Sequence, residues 1–228
     1  MGRKHEPPAT VKIALMVIGR GAFLVAMDVA VVAAGGGAHS FLGKPVGAAY
    51  FLLWNVWWIV TFIGRQTGRK SPYDRSRFLI VALSSLLVPA LVVWPPWEHT
   101  HFAGGLPKSG PLPWAGLALF AAGIGLQAWA MWTLRGFFTR WLNVQPDQQL
   151  VTWGPYRLVR HPGYASYIVC LLGLSLAMGS AGGLIITAAS VAFIVARIGV
   201  EEEMLRDAFG EEYRRYAAKR ARIFPGVY

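Results

Sequence analysis

Six mostly apolar stretches divide this chain, and each approaches the ~20 residues that a helix needs to cross ~30 Å of hydrocarbon. They run from about Ile13 to Ala34, Val46 to Gly64, Phe78 to Trp94, Trp114 to Leu134, Tyr164 to Met178 and Leu184 to Val200. The expected fold class is therefore an all-α integral membrane protein with about six transmembrane helices. A final segment, Glu201 to about Ala221, alternates acids and bases and places Phe209, Tyr213 and Tyr216 on one helical face, as a cytosolic C-terminal helix lying near the membrane would. Gly35-Gly36-Gly37, Lys44-Pro45, Ser71-Pro72, Pro95-Pro96-Trp97 and Gly179 to Gly183 supply the breaks. The last of these is short and uncharged, which suits an antiparallel hairpin of the final two spans.

Composition agrees. Of 228 residues, 55% are hydrophobic and 14% charged, with a mean hydropathy of +0.43, too apolar for an ordinary soluble domain. A net charge of +11 would fit a nucleic-acid partner, but the basic residues lie between apolar runs and not on one soluble face, so none is expected. Their distribution reads instead as topology. The N-terminus, the loop from Arg65, the loop from Arg135 and the C-terminus are rich in Lys and Arg, whereas the alternate loops hold Lys44, Lys108 and no basic residue. The positive-inside rule then places both termini in the cytoplasm, and a bacterial or archaeal inner membrane is the expected location. The basic start of the chain, followed by an apolar run that Arg20 and Asp28 interrupt, reads as a retained span without a cleavage site. Arg20 and Asp28 are ~12 Å apart along a helix and so each needs a partner elsewhere. The only cysteine, Cys170, lies in an apolar run and reads as core, and His99 and His101 lack a third ligand, so no metal is expected.

The polar chemistry concentrates at Gly154-Pro155-Tyr156-Arg157-Leu158-Val159-Arg160-His161-Pro162-Gly163-Tyr164. Pro162 disfavours helix in the residue before it and suits the first turn of a helix, so it should open the fifth span. The free amides of that helix start, beside Arg157, Arg160 and His161, form a positive pocket suited to a carboxylate or phosphate. A second cluster, Arg197 with Glu201, Glu202 and Glu203, returns to the same side if the last two spans form a hairpin. Its carboxylates suit an amino group or ribose hydroxyls. Juxtamembrane Arg and Glu that only set topology are the plainer alternative.

Taken in order, Gly154-Pro155-Tyr156-Arg157, Arg160-His161-Pro162 with Tyr164, Arg197 with Glu201-Glu202, Phe209-Gly210, Tyr213 and Tyr216 resemble the isoprenylcysteine carboxyl methyltransferase family and the related membrane phospholipid N-methyltransferases. The resemblance extends through Ala130, Thr133-Leu134, Phe137-Phe138 and Leu150-Val151 to Pro225-Gly226, and so covers roughly residues 123–228. Two positions depart from the family pattern: Leu134-Arg135-Gly136 has its basic residue before the glycine, and Ser166 stands where the family has glycine. The resemblance implies one membrane domain, with spans in 1–112 and a cofactor-binding catalytic core in 113–228. It implies S-adenosylmethionine as cofactor. His161 and Tyr164, with Glu201 or Glu202, would contact that cofactor; Tyr156 and Arg160 of the same motif join them, and Gly123 and Gly125 match the glycine pair of the phospholipid branch. Arg197 would hold a lipophilic or amphiphilic methyl acceptor drawn from the bilayer.

For a carboxylate acceptor no base is needed at neutral pH and Arg197 can orient it through a bidentate contact. An amine must first lose a proton, for which Glu201 or Glu202 would serve, and a thiol would want a positive pocket. An NADPH-dependent membrane enzyme of the sterol-reductase kind, or a non-catalytic protein on the same scaffold, are the alternatives.

Overall fold

The computed structural model describes residues 9–63, 77–103, 105–134 and 148–226. These residues form α1 (Ala9–Ala34), α2 (Ala38–Leu42), α3 (Pro45–Ile63), α4 (Arg77–His101), α5 (Pro111–Leu134), a 3₁₀ turn (Gly154–Arg157), α6 (Pro162–Ala177) and α7 (Ala181–Ala217). Among them there is no strand, only one parallel bridge between Val159 and Ala221. The basic loop from Arg65, Phe137-Phe138 and most of the turn expected at 143–149 lie outside the described residues.

Helices α3, α5 and α6 begin and end close to where the apolar pattern puts them, and the Gly179 turn joins α6 to α7 as expected. Two helices run further. α4 continues through Pro95 and Pro96 to His101. Proline removes its own amide from the helix ladder and crowds the carbonyl four residues back; the Val92 carbonyl, four before Pro96, takes a hydrogen bond from the Tyr50 hydroxyl instead (2.9 Å). Side chains then tie down the last turn, where Thr100 donates to the carbonyls of Pro96 (3.1 Å) and Ala34 (2.8 Å) and His101 Nδ1 meets the Trp97 carbonyl (2.8 Å). α7 does not stop at Val200, because the stretch after it is rich in strong helix formers, Glu, Met, Leu, Arg and Ala. Its first interruption is Gly210, at φ 53° and ψ −125°.

Helices α5 and α6 pack backbone to backbone. A Cβ on Gly116 would lie 2.3 Å from the Ala177 nitrogen, and one on Gly123 would lie 2.6 Å from Cys170 Sγ and 2.9 Å from its nitrogen. Small residues permit such an approach in a bundle where lipid supplies no hydrophobic drive between helices. Around this pair Tyr50, Trp54 and Trp57 of α3, Leu91 and Val92 of α4, Phe120 of α5, and Leu171 and Leu174 of α6 form the main core, which includes Cys170. Polar groups within it are matched. Asp28 accepts hydrogen bonds from Trp54 Nε1 (2.9 Å) and Asn55 Nδ2 (3.3 Å) on α3, the neighbouring-helix partner that its cost in lipid demands. Gln127 accepts from Trp57 and donates to Thr61 (3.2 Å).

Among the described residues three helices, α1, α5 and α7, are long and apolar enough to cross a membrane, and α3 and α6 are apolar but shorter. On α5 the exposed indoles of Trp114 and Trp132 are 18 residues apart. That is ~27 Å along a helix, the separation of two interfacial belts. The protein is an integral membrane protein.

At the end of the bundle away from the polar motif, Glu98 closes the α6–α7 turn. Its carboxylate accepts from Ser180 Oγ, Trp94 Nε1 (2.9 Å) and the amides of Ala181 (3.1 Å) and Gly182 (3.0 Å), the free donors at the start of α7. Burial alone would raise its pKa, but the bonds from Ser180, Gly182, Trp94 and Ala181 outweigh it and hold the carboxyl below its usual value. A depressed carboxyl contributes stability that is present above its unfolded pKa and lost as pH falls through the folded value. Thermal unfolding in detergent should therefore show wild type losing stability as pH falls below the usual carboxylate range. Glu98→Gln should start about 2 kcal/mol lower at neutral pH and show a flatter profile. Parallel profiles for the two proteins would refute the cap.

Candidate active site

The polar motif folds as a tight bend before α6. Gly154 opens it at φ 59°, a conformation suited to glycine, and a Cβ there would also meet Thr133 Oγ1 at 2.7 Å. His161 precedes the helix in a non-helical conformation, at φ −127° and ψ 62°, and Pro162 takes the first helical position of α6, as its ring geometry favours. The C-terminal segment lies alongside: the Arg160 amide donates to the Ala221 carbonyl (2.9 Å), the His161 amide to the Arg222 carbonyl (2.9 Å), and the Tyr216 hydroxyl to the Tyr156 carbonyl (2.7 Å). Three parts of the chain thus meet at one end of the α6–α7 hairpin.

Glu202 is their common anchor. Its side chain is fully buried, and its two oxygens take four charged or polar partners. Oε1 meets Arg160 Nη1 (2.8 Å) and His161 Nε2 (3.3 Å); Oε2 meets Arg206 Nη2 (3.3 Å) and Arg222 Nε (3.3 Å). A carboxylate offers about four lone-pair sites, so this one is saturated.

Glu201, one residue earlier, is placed differently. Its side chain keeps 25% exposure; Oε2 accepts from the Tyr164 hydroxyl (2.5 Å) and Oε1 lies 3.9 Å from His161 Nδ1. His161 therefore stands between the two carboxylates. The Arg197 guanidinium, one turn before Glu201, lies over the Tyr164 ring at 5.6 Å, within cation–π range. Tyr156 faces the same cluster. Burial, then the Glu201 carboxylate and Tyr216, push its hydroxyl well above its ordinary pKa, so it stays a neutral donor.

Of the sequence-derived candidates, the structure brings Tyr156, Arg160, His161, Tyr164, Arg197, Glu201 and Glu202 together. It divides the acidic pair: Glu201 retains an open side, and Glu202 is committed to holding the scaffold and is poorly placed as a base. The two glycines part company as well. Gly123 is filled by α6, and Gly125 faces open space on the outer side of α5, because two helical residues apart turns about 200° around the axis. Arg157 is exposed. Ser166 is buried and donates to the Gly163 carbonyl (2.6 Å), so its hydroxyl is absorbed by the first turn of α6.

Sequence reasoning did not assign Arg206, Tyr213 or Arg222 to the site. Arg206 was within reach, since it stands four residues after Glu202 on one helix face. Arg222 carries no such signal, because only tertiary folding returns the tail to α7.

Fold and site together define a class: an all-helical integral membrane protein with a polar, charge-rich cluster at one end of its last helical hairpin. Residues 112–212 match the family model described as phospholipid methyltransferase. A probable protein-S-isoprenylcysteine O-methyltransferase of Oryza sativa subsp. indica is 32% identical over 109 residues, 46% of this chain and 57% of that protein. Methanethiol S-methyltransferase 1 of Bradyrhizobium diazoefficiens is 36% identical over 70 residues, 31% of this chain and 24% of that protein. The solved structure of a eukaryotic intramembrane Ras methyltransferase, isoprenylcysteine carboxyl methyltransferase, superposes with a TM-score of 0.56 at 23% identity, covering 91% of this chain and 75% of that one. The chain is thus similar, chiefly through its C-terminal half, to isoprenylcysteine O-methyltransferases and to the phospholipid methyltransferase family model. It spans little more than half the length of the rice protein. Relatives from a plant and a bacterium do not support assigning it to a bacterial or archaeal inner membrane.

Proposed function

We propose that this chain is an S-adenosylmethionine-dependent membrane methyltransferase acting on a lipophilic or amphiphilic acceptor, with a carboxylate of the isoprenylcysteine kind first. The observation that carries the reading is the pairing, across one hairpin, of the partly exposed Glu201 and of Arg197 on α7 with Tyr164 at the start of α6. This reading places six spans in the bilayer, with both termini and the site on the cytoplasmic side, residues 113–228 holding the cofactor and the earlier spans completing the bundle.

The residues fit an amino-acid-bearing nucleoside. Glu201 accepts from its ammonium group, Tyr156 and His161 supply further polar contacts, and the surplus of guanidinium groups around Glu202 favours its carboxylate. When bound, S-adenosylmethionine supplies an electrophilic methyl group on a sulfonium. Arg197 orients the acceptor carboxylate, whose oxygen already carries the lone pair that attacks, and the buried surroundings exclude water from it. Because a carboxylate is ionised at neutral pH, no proton transfer is required. The family description favours a second acceptor, a phospholipid amine, for which Glu201 is the better-placed base of the two.

Calorimetry in detergent with S-adenosylmethionine and with NADPH tests the cofactor; only the former should bind. Transfer of radiolabelled methyl to a prenylated cysteine, a phospholipid amine and a water-soluble carboxylate then tests the acceptor. Preference for the soluble carboxylate would overturn the lipophilic assignment.

A further inference from the structure

We infer that Tyr213, with Nε of Arg160, binds the carboxylate end of the methyl donor, a role that rests on the function proposed above and deepens it. Tyr213 follows the break at Gly210 in α7 and is 1% exposed. Its hydroxyl lies close enough to Arg160 for that side chain to act on it as a donor, yet its own proton meets no acceptor among the described residues, and the buried Nε of Arg160 makes no bond of ordinary length there. Most buried hydroxyls are bonded, since stripping one of water without replacement is costly.

The surroundings say what is missing. Charges from Glu202, Arg160 and Glu201 act on the Tyr213 hydroxyl, which places it inside the polar cluster. Arg160 can only donate, and the acceptor sites of Glu202 are already occupied by Arg160, His161, Arg206 and Arg222. The Tyr213 O–H therefore lacks an acceptor, with Arg160 beside it, in a cluster where guanidinium groups outnumber carboxylates. A small anionic oxygen group completes that arrangement, and a carboxylate can take both donors at once. Gly210 makes the placement possible: its positive φ turns the end of α7, carrying Tyr213 and Tyr216 back over the motif, where Tyr216 holds the Tyr156 carbonyl.

The test is Tyr213→Phe in the full-length protein, read by calorimetry with S-adenosylhomocysteine and with 5′-methylthioadenosine, which lacks the amino-acid moiety. Phenylalanine keeps the ring and removes only the hydroxyl. The expected result is a loss of roughly tenfold to a hundredfold in affinity for S-adenosylhomocysteine, with affinity for 5′-methylthioadenosine unchanged. Thermal stability of the unliganded protein should be little changed, because the hydroxyl's proton meets no acceptor until ligand arrives. Equal affinities in wild type and variant, or equal losses for both nucleosides, would overturn the role of Tyr213 and leave the methyl-donor reading intact. Failure of wild type to bind either nucleoside would overturn both.

Discussion

Glu202→Ala is expected to lower stability by about 3–5 kcal/mol, the usual consequence of leaving buried charges without their counter-ion. Arg160, Arg206, Arg222 and His161 converge on this fully buried carboxylate, and alanine would leave three guanidinium groups facing one another. Arg222 belongs to the tail, so the loss should also release the segment that pairs with the motif through Val159 and Ala221. Thermal unfolding in detergent, with limited proteolysis of the C-terminus, reads both effects. Glu202→Gln should fall between, because an amide keeps one acceptor oxygen but turns a donor toward arginine. A melting temperature unchanged in Glu202→Ala would remove Glu202 as the anchor.

Glu201→Gln should do the opposite: keep the fold and lose the ligand. The side chain is partly exposed and its one strong partner, the Tyr164 hydroxyl, can donate equally well to an amide oxygen. Stability should therefore change by less than about 0.5 kcal/mol. The ammonium of the methyl donor would lose a charged acceptor, which weakens binding by roughly tenfold to a hundredfold. The pH profile separates two roles for the same residue. If Glu201 only holds the donor, saturating S-adenosylmethionine restores kcat; if it is the base for an amine acceptor, kcat stays low and the acid limb of the profile disappears. Unchanged donor affinity together with unchanged kcat would refute both. The contrast between neighbours is the sharper test, since the two residues differ by one position on a helix and share only His161 among their partners.

How much could be read in advance follows from what each feature depends on. The helices were legible wherever an apolar run met a local breaker, as at Pro162 and at the Gly179 turn, because backbone preference and hydropathy are properties of a short window. They were misjudged where a distant or side-chain contact outweighed the window. α4 survives Pro95 and Pro96 with the help of Thr100 and His101, one of whose bonds reaches Ala34 on another helix. The charged end of the last span looked like a separate helix, yet no residue before Gly210 breaks it.

The candidate site divides the same way. By itself the sequence determined that a membrane chain carries Tyr156, Arg160, His161 and Tyr164 at one helix start and Arg197, Glu201 and Glu202 at the end of the next span, since a tight hairpin must return the second set to the first. The tertiary structure alone decided which carboxylate is buried under three arginines and which stays partly exposed, what Gly123 and Gly125 face, and that Arg222 and Tyr213 come back over the motif. The reason is geometric. Successive residues on a helix turn by ~100°, so neighbours in sequence meet different surroundings, and those surroundings come from parts of the chain that no local pattern can name.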